Sequence, residues 1–301
     1  MKVFALFILV ISLYSDVHHD ISKEQLLRVP YTSEIAHEER EFFLYLPKGY
    51  ETNKEKEWPV ILFLHGNGER GNGKDELEYS MIHGPLNEAW IQHRDLPFII
   101  ISPQLHMFNM GEVSYIKNRS RSSIPKRYED SIPEKSKPFK PSWIMDPLPA
   151  KSFDSITETG LPDGWYRVES DLIHMLDYVQ KNYRVRDKQI YLTGLSYGGF
   201  GTWYMASKHP DRFAAIAPVV GWGHPELMQP IASEQLPVWC FAGGRDRTVK
   251  PEYFYAGMNK LEESGHKDVR FTIHADMGHD TWKRVYGSEE LYNWFLQHSK
   301  D

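Results

Sequence analysis

The stretch "QIYLTGLSYGGFGTW", Gln189 to Trp203, constrains this chain more than any other. A β-branched and apolar run reaches Thr193 and meets Gly194. Ser196 follows, with Gly198 and Gly199 close behind, and then a run with helical character. A strand that turns at once into a helix brings backbone segments so close that side chains at the flanking positions collide. Glycines two residues either side of Ser196 answer that requirement. The turn lifts the serine hydroxyl above the sheet edge, and it sets Ser196 at a helix N-terminus, where free N–H groups favour negative charge. The spacing Gly194-x-Ser196-x-Gly198 is therefore that of a nucleophile elbow.

The rest of the chain supplies the sheet that such a turn needs. "REFFLYLP" (Arg40 to Pro47) reads as an early strand. "PVILFLHG" (Pro59 to Gly66) and "PFIIISPQ" (Pro97 to Gln104) are near-continuous apolar runs, which suit parallel strands buried on both faces. "FAAIAPVVG", "PVWCFAGG" and "VRFTIHA" repeat the pattern later. Between them lie amphipathic stretches. Trp165 to Tyr183 puts Val168, Leu172, Met175, Leu176 and Val179 on one face. Pro251 opens and Gly265 closes another helical segment, and Ser288 is placed to cap the last one. Alternating strands and helices imply an α/β fold: a mostly parallel, doubly wound sheet with helices on both faces.

One stretch breaks the rhythm. His106 to Gly164 has no clear periodicity, carries seven of the nineteen prolines, and holds basic clusters such as "KNRSRSSIPKRYED". It follows the carboxyl end of a strand, the edge at which open α/β sheets bind ligands. It reads either as a solvated surface insertion or as a wall of the cleft, with Trp143, Ile144 and Met145 as anchors. Asn118 in "NRS" fits a glycosylation acceptor.

A serine hydroxyl attacks well only when a base takes its proton. In the hydrolase order of Ser, Asp and His, the acid should follow a later strand and the histidine should come last. Asp246 in "FAGGRDRTV" and His279 in "HADMGHDTW" occupy those places. The chain holds fourteen histidines, so the others must be weighed. His274 lies within a strand and reads as packed core. His266 sits in a polar turn and reads as solvated. His224 precedes Asp246 and breaks the order, but lies on a loop that can line a cleft. Asp276 and Asp280 are too near His279 in sequence to orient its ring. A tetrahedral intermediate needs two aimed donors. The backbone N–H of Tyr197 is one. The loop "LHGNGERG" offers the other at Asn67, with Gly68 close behind, and His65 there reads as structural. Trp222, His224 and Trp282 are the candidates for substrate contact.

Composition sets the boundaries. The 301 residues are 41% hydrophobic and 25% charged, with a net charge of −6, so a nucleic-acid partner is not suggested. The aromatic share of 14% is high; aromatics mostly fill cores, but they also line clefts for apolar or sugar-like ligands. The single cysteine, Cys240, lies in an apolar run and reads as a buried thiol. No zinc-type spacing appears. Lys2 and the apolar run Val3 to Tyr14 have the proportions of a signal peptide, the alternative being a buried N-terminal strand or helix. The expectation is a leader over 1–15, a single domain over 16–301 with the insertion 106–164, and a secreted or periplasmic product with no membrane span after processing.

With these stretches in hand, the chain resembles the α/β-hydrolase superfamily. It looks most like the exported serine esterase branch, near dienelactone hydrolases, phospholipase/carboxylesterases and polyhydroxybutyrate-depolymerase-like proteins. The stretches that carry the likeness are "FLHGNGERG", "IISPQ", "IYLTGLSYGGFGTW", "FAAIAPVVGWG", "FAGGRDRTV" and "MGHDTW", in order from Pro59 to Trp282. The resemblance implies a triad of Ser196, His279 and Asp246, an acyl-enzyme, and no metal or organic cofactor. It also implies ester substrates, small or linked to a polysaccharide. Tyr197 stands where a methionine is common, and an elbow with tyrosine is similar to the prolyl-peptidase clan as well. A serine peptidase is thus an alternative, although only about fifty residues precede "PVILFLHG", too few for the propeller such enzymes usually carry. A non-catalytic binding module on the same fold is a third.

Overall fold

The computed structural model describes residues 23–128 and 161–300. The expected leader 1–15, most of the insertion and its proposed anchors Trp143, Ile144 and Met145 lie outside the described residues.

Among the described residues eight strands form one sheet: β1 (Gln25–Thr32), β2 (Glu39–Leu46), β3 (Trp58–Leu64), β4 (Ile99–Ser102), β5 (Val185–Leu195), β6 (Ala215–Val219), β7 (Val238–Gly243) and β8 (Val269–His274). Their spatial order is β1-β2-β4-β3-β5-β6-β7-β8. From β4 to β8 every pairing is parallel, while β1 and β2 join antiparallel at one edge. The helices are α1 (Ser114–Lys117), α2 (Glu169–Asn182), α3 (Tyr197–Lys208), α4 (Met228–Ser233), α5 (Tyr255–Glu263), α6 (Trp282–Gly287) and α7 (Glu289–Leu296). Strand β1 has no counterpart in the sequence reading. Pro30 within it removes a ladder donor, which an edge strand tolerates. Among the described residues no helix is long and apolar enough to cross a membrane.

The central strands are buried on both sides, and their two-residue period deals side chains alternately to two cores. Val60, Leu62 and Leu64 of β3 belong to one core, which also takes in Leu172 of α2, Trp203 of α3 and Met258 of α5. Ile61 and Phe63 face the other way, toward Tyr286 and Phe295 near the C-terminus. Cys240 on β7 is fully buried, and burial pushes its thiol pKa up. Ser288 caps α7 by accepting a hydrogen bond from the Glu290 N–H at 3.1 Å.

Two histidines separate on burial. His274 is buried, as read from the strand pattern. His266 is not solvated: it is 8% exposed, and its Nε2 donates to the Leu236 carbonyl at 2.7 Å. The polar turn around it folds back onto the preceding loop, and that non-local acceptor keeps the ring inside. Burial lowers its pKa, which suits the neutral, singly donating form.

Candidate active site

Ser196 stands between β5 and α3 with φ 51° and ψ −114°. A side-chain-bearing residue in that region is strained by about 1–3 kcal/mol, and surrounding contacts must hold it there. The Ser196 N–H donates to Val219 O at 2.9 Å, and its carbonyl accepts from the Phe200 N–H at 3.1 Å. The next strand shares the strain, since Val220, directly after β6, has φ 47°. A β-branched residue rarely adopts that conformation. It is held by its N–H donating to Phe241 O at 2.8 Å.

The three predicted side chains meet. His279 Nδ1 lies 2.7 Å from Asp246 Oδ2, and its Nε2 lies 3.0 Å from Ser196 Oγ. A carboxylate only accepts, so the ring proton belongs on Nδ1 and the Nε2 lone pair faces the serine O–H. The other Asp246 oxygen accepts from the N–H groups of Thr248 at 2.8 Å and Val249 at 2.9 Å. Those two bonds fix the plane of a carboxylate whose side chain is fully buried. The acid loop and the histidine loop are tied together, with the Arg245 N–H donating to Met277 O at 2.9 Å. Thr281 Oγ1 donates to Gly278 O at 2.7 Å and braces the turn that carries His279. The rival acids are engaged elsewhere. Asp276 forms a two-pronged pair with Arg284 at 2.7 and 2.8 Å, and Asp280 pairs with Lys283 at 3.2 Å.

Asn67 and Tyr197 each occupy the first position of a helical turn, where a backbone N–H has no partner within the helix. Their strands β3 and β5 are neighbours, with Leu64 opposite Gly194. The Asn67 side chain is already committed: its oxygen accepts from Arg70 Nε at 2.5 Å and its amide donates to the Tyr115 hydroxyl. What Asn67 has left to offer a ligand is its backbone N–H and the second N–H of its amide. His65 is structural. Its Nδ1 donates to Gly66 O at 2.6 Å and its Nε2 accepts from the Leu105 N–H at 2.9 Å.

The three substrate candidates diverge. Trp222 is 2% exposed, and its ring meets Phe200 edge-on at 4.8 Å. It belongs to the core and not to the cleft surface, because Phe200 on α3 offers it an apolar wall. His224 is half-buried and accepts from the Glu226 N–H at 3.3 Å, capping a short turn. Trp282 stays at the site, edge-on to His279 at 5.2 Å, and its ring also meets that of His83 at 5.3 Å. It also borders a cavity of about 640 Å³, with His83, Asn87, Gln92 and Asp280 on the wall. Ser196 and His279 do not line that cavity, which adjoins the site through Gly278, Asp280 and Trp282. Among the described residues no group of three or more His, Cys, Asp or Glu side chains is placed to hold a metal ion.

Sequence reasoning missed Glu69 and His83. Glu69 is 7% exposed, with carboxylate oxygens 3.9 Å from His65 Nδ1 and from His83 Nε2. Burial lowers His65 to about 3 and His83 to about 4, so neither ring is a cation at neutral pH. Burial in turn raises Glu69 from 4.5 to about 7. A carboxyl whose folded pKa lies above its unfolded one binds more protons when folded, so stability falls as pH rises from about 4.5 through 7. Glu69→Gln keeps the shape and removes the charge. We expect it to raise Tm by a few degrees, on the order set by 1–2 kcal/mol, at pH 8 and not at pH 5. Melting curves at the two pH values check this, and an equal shift at both contradicts it.

Comparison with known proteins bears on the fold. Residues 166–231 match the prolyl oligopeptidase family, a span that includes Ser196 but neither Asp246 nor His279. A segment of 47 residues is 43% identical to poly(3-hydroxyalkanoate) depolymerase C of Paucimonas lemoignei and covers 16% of this chain and 11% of that protein. Among solved structures, a thermostable esterase superposes with a TM-score of 0.59 at 23% identity over 91% of this chain, which spans 63% of the esterase. A ferulic acid esterase from Anaeromyces mucronatus, solved with ferulic acid, gives 0.53 at 14% identity, covering 93% of this chain and 92% of its own. At such identities the likeness is one of architecture, and it extends over nearly the whole chain: this protein has the α/β-hydrolase fold.

Proposed function

We propose that this protein is a serine hydrolase of carboxylic esters, with Ser196 as nucleophile, His279 as general base and acid, and Asp246 as the group that orients the imidazole. The observation that carries the reading is the continuous line from Asp246 Oδ2 through both nitrogens of His279 to Ser196 Oγ, with steps of 2.7 and 3.0 Å. His279 takes the hydroxyl proton as Ser196 attacks the carbonyl. The negative charge that develops on the carbonyl oxygen falls to the N–H groups of Tyr197 and Asn67. His279 then protonates the departing alcohol. Water, activated by the same ring, releases the acid from the acyl-enzyme.

Acyl esters on carbohydrate are the substrate class we place first. The cavity beside Trp282 is lined by polar residues as well, among them Gln92, Asp280 and Lys283, a lining suited to a hydroxyl-rich group. The architectural likeness to an enzyme solved with ferulic acid supports the same class. The apolar run at Val3–Tyr14 supports export to the periplasm or outside the cell.

The match of residues 166–231 to the prolyl oligopeptidase family favours a second reading, a serine peptidase. One experiment separates them. Intact-mass measurement after exposure to a fluorophosphonate should show a single adduct, located at Ser196 by peptide mapping. The labelled enzyme should lose turnover of p-nitrophenyl and feruloyl esters. Folded protein that takes no label contradicts the hydrolase reading, and cleavage of peptide amides with no ester turnover selects the peptidase.

A further inference from the structure

The Arg70 guanidinium is heavily committed near this edge, outside the Ser196, His279 and Asp246 line. Arg70 lies three residues after Asn67 on the same loop and is fully buried. A buried guanidinium has five donors to satisfy. Here Nε donates to Asn67 Oδ1 at 2.5 Å, Nη1 to the His106 carbonyl at 2.9 Å, and Nη2 to the Asp163 carbonyl. The same charge sits 5.3 Å from the centre of the Tyr197 ring and 6.0 Å from that of Phe108. Burial lowers its pKa to about 10, which leaves it a cation at neutral pH.

These partners fall into two groups. Asn67 and Tyr197 carry the two N–H groups that the hydrolase reading assigns to the oxyanion. His106 and Asp163 stand at the two ends of the insertion 106–164. One cation therefore touches both donor residues and both ends of the insertion. The insertion holds the loop in return. Tyr115 accepts from the Asn67 amide, and Arg119 donates to Gly68 O at 3.1 Å and to Arg70 O.

We propose that Arg70 is a positioning residue: it fixes the Asn67 loop against Tyr197 and ties the placing of the oxyanion donors to the insertion. This rests on the hydrolase reading above. A loop with Gly66, Gly68 and Gly71 has little conformational preference of its own. Donors for an oxyanion help only if they are in place before the charge appears. The planar fork of arginine spans several acceptors at once, which a lysine ammonium does not. Arg70 touches no reacting atom, so its loss should weaken the transition state more than the bound ester. A residue that merely supported the fold would lower Tm and leave kcat per folded site alone.

The test measures kcat and KM on p-nitrophenyl acetate for the full chain and for Arg70→Lys, Arg70→Ala, Asn67→Ala and Asn67→Ala/Arg70→Ala. Competent sites are counted by fluorophosphonate titration. We expect Arg70→Lys and Arg70→Ala to lower kcat per titrated site by about tenfold to a hundredfold, with KM within about threefold. Asn67→Ala should lower kcat although the backbone N–H remains. The double variant should be no worse than Arg70→Ala, because both cut the same strut. Millimolar guanidinium should restore part of the Arg70→Ala loss. Unchanged kcat per site in the Arg70 variants, or additive losses in the double variant, overturns the proposal. If both Arg70 variants fail to fold, Asn67→Ala decides: unaltered kcat there overturns it. A wild type that neither labels nor turns over esters overturns the hydrolase reading and the positioning role with it.

Discussion

Ser196→Ala is expected to lower kcat on a p-nitrophenyl ester by about 10⁴-fold or more while leaving Tm nearly unchanged. Alanine keeps the Cβ, so the strained backbone at φ 51° and the two backbone hydrogen bonds of residue 196 persist. What disappears is the oxygen 3.0 Å from His279 Nε2. Without it no acyl-enzyme forms, and water must attack the bound ester directly. The remaining rate over solution comes from the donors around the carbonyl and from substrate positioning. The size of the loss is informative because a hydroxyl that only capped the helix would cost about 1 kcal/mol of stability and nothing in turnover. Steady-state kinetics with the variant purified free of wild type decides the matter. A fall of only a few-fold would remove Ser196 from the chemistry.

The order of certainty between elements has a physical origin. The elbow is readable because its demands are local: the turn, the glycines and the serine lie within a few residues. Asp246 and His279 are readable because the sheet edge gathers whatever follows its strands, so place in the chain substitutes for place in space. Arg70 is not readable in that way. Two of its acceptors are carbonyls 36 and 93 residues further along the chain, and carbonyls leave no trace in a sequence. The charges between glycines in "NGERG" were the only signal available. His266 fails for the same reason, since its acceptor is the Leu236 carbonyl, 30 residues back. Trp222 shows the opposite error. An aromatic residue next to a functional edge suggests a ligand, yet a large apolar ring goes wherever an apolar wall is offered, and Phe200 offers it. The edge strand β1 was hidden by its mixed pattern. Its register is held by pairing with β2 and by Arg28, which bridges Glu41 and Glu78 at 2.6 Å each, not by an apolar alternation.

Gly198→Ala is expected to destabilise the protein by about 3 kcal/mol or more, a loss of roughly 10 °C in Tm for a chain of this size. The requirement at Gly198 is space. A Cβ there would lie 1.8 Å from Leu64 O, 2.5 Å from Leu64 C and 2.8 Å from His65 O. All three are backbone atoms at the end of β3, so no rotamer change relieves the overlap. At Gly194 a Cβ would meet Gly198 O at 2.3 Å and Leu64 O at 2.7 Å, which shows the same crowding from the strand side. Only separation of α3 from β3 makes room, and β3 is one of the two most central strands of the sheet. Such a separation also pulls Tyr197 away from the Asn67 loop, so activity should fall further than the folded fraction does. Gly68→Ala is the control. A Cβ at Gly68 meets nothing within 4 Å, and the residue lies one turn from the same site. Its Tm should stay within a degree or two of wild type, since a surface change without a clash costs about 0.5 kcal/mol at most. Calorimetry on the two variants side by side measures the difference. If Gly198→Ala melts where Gly68→Ala does, close contact between helix and strand is not what selects glycine after the serine.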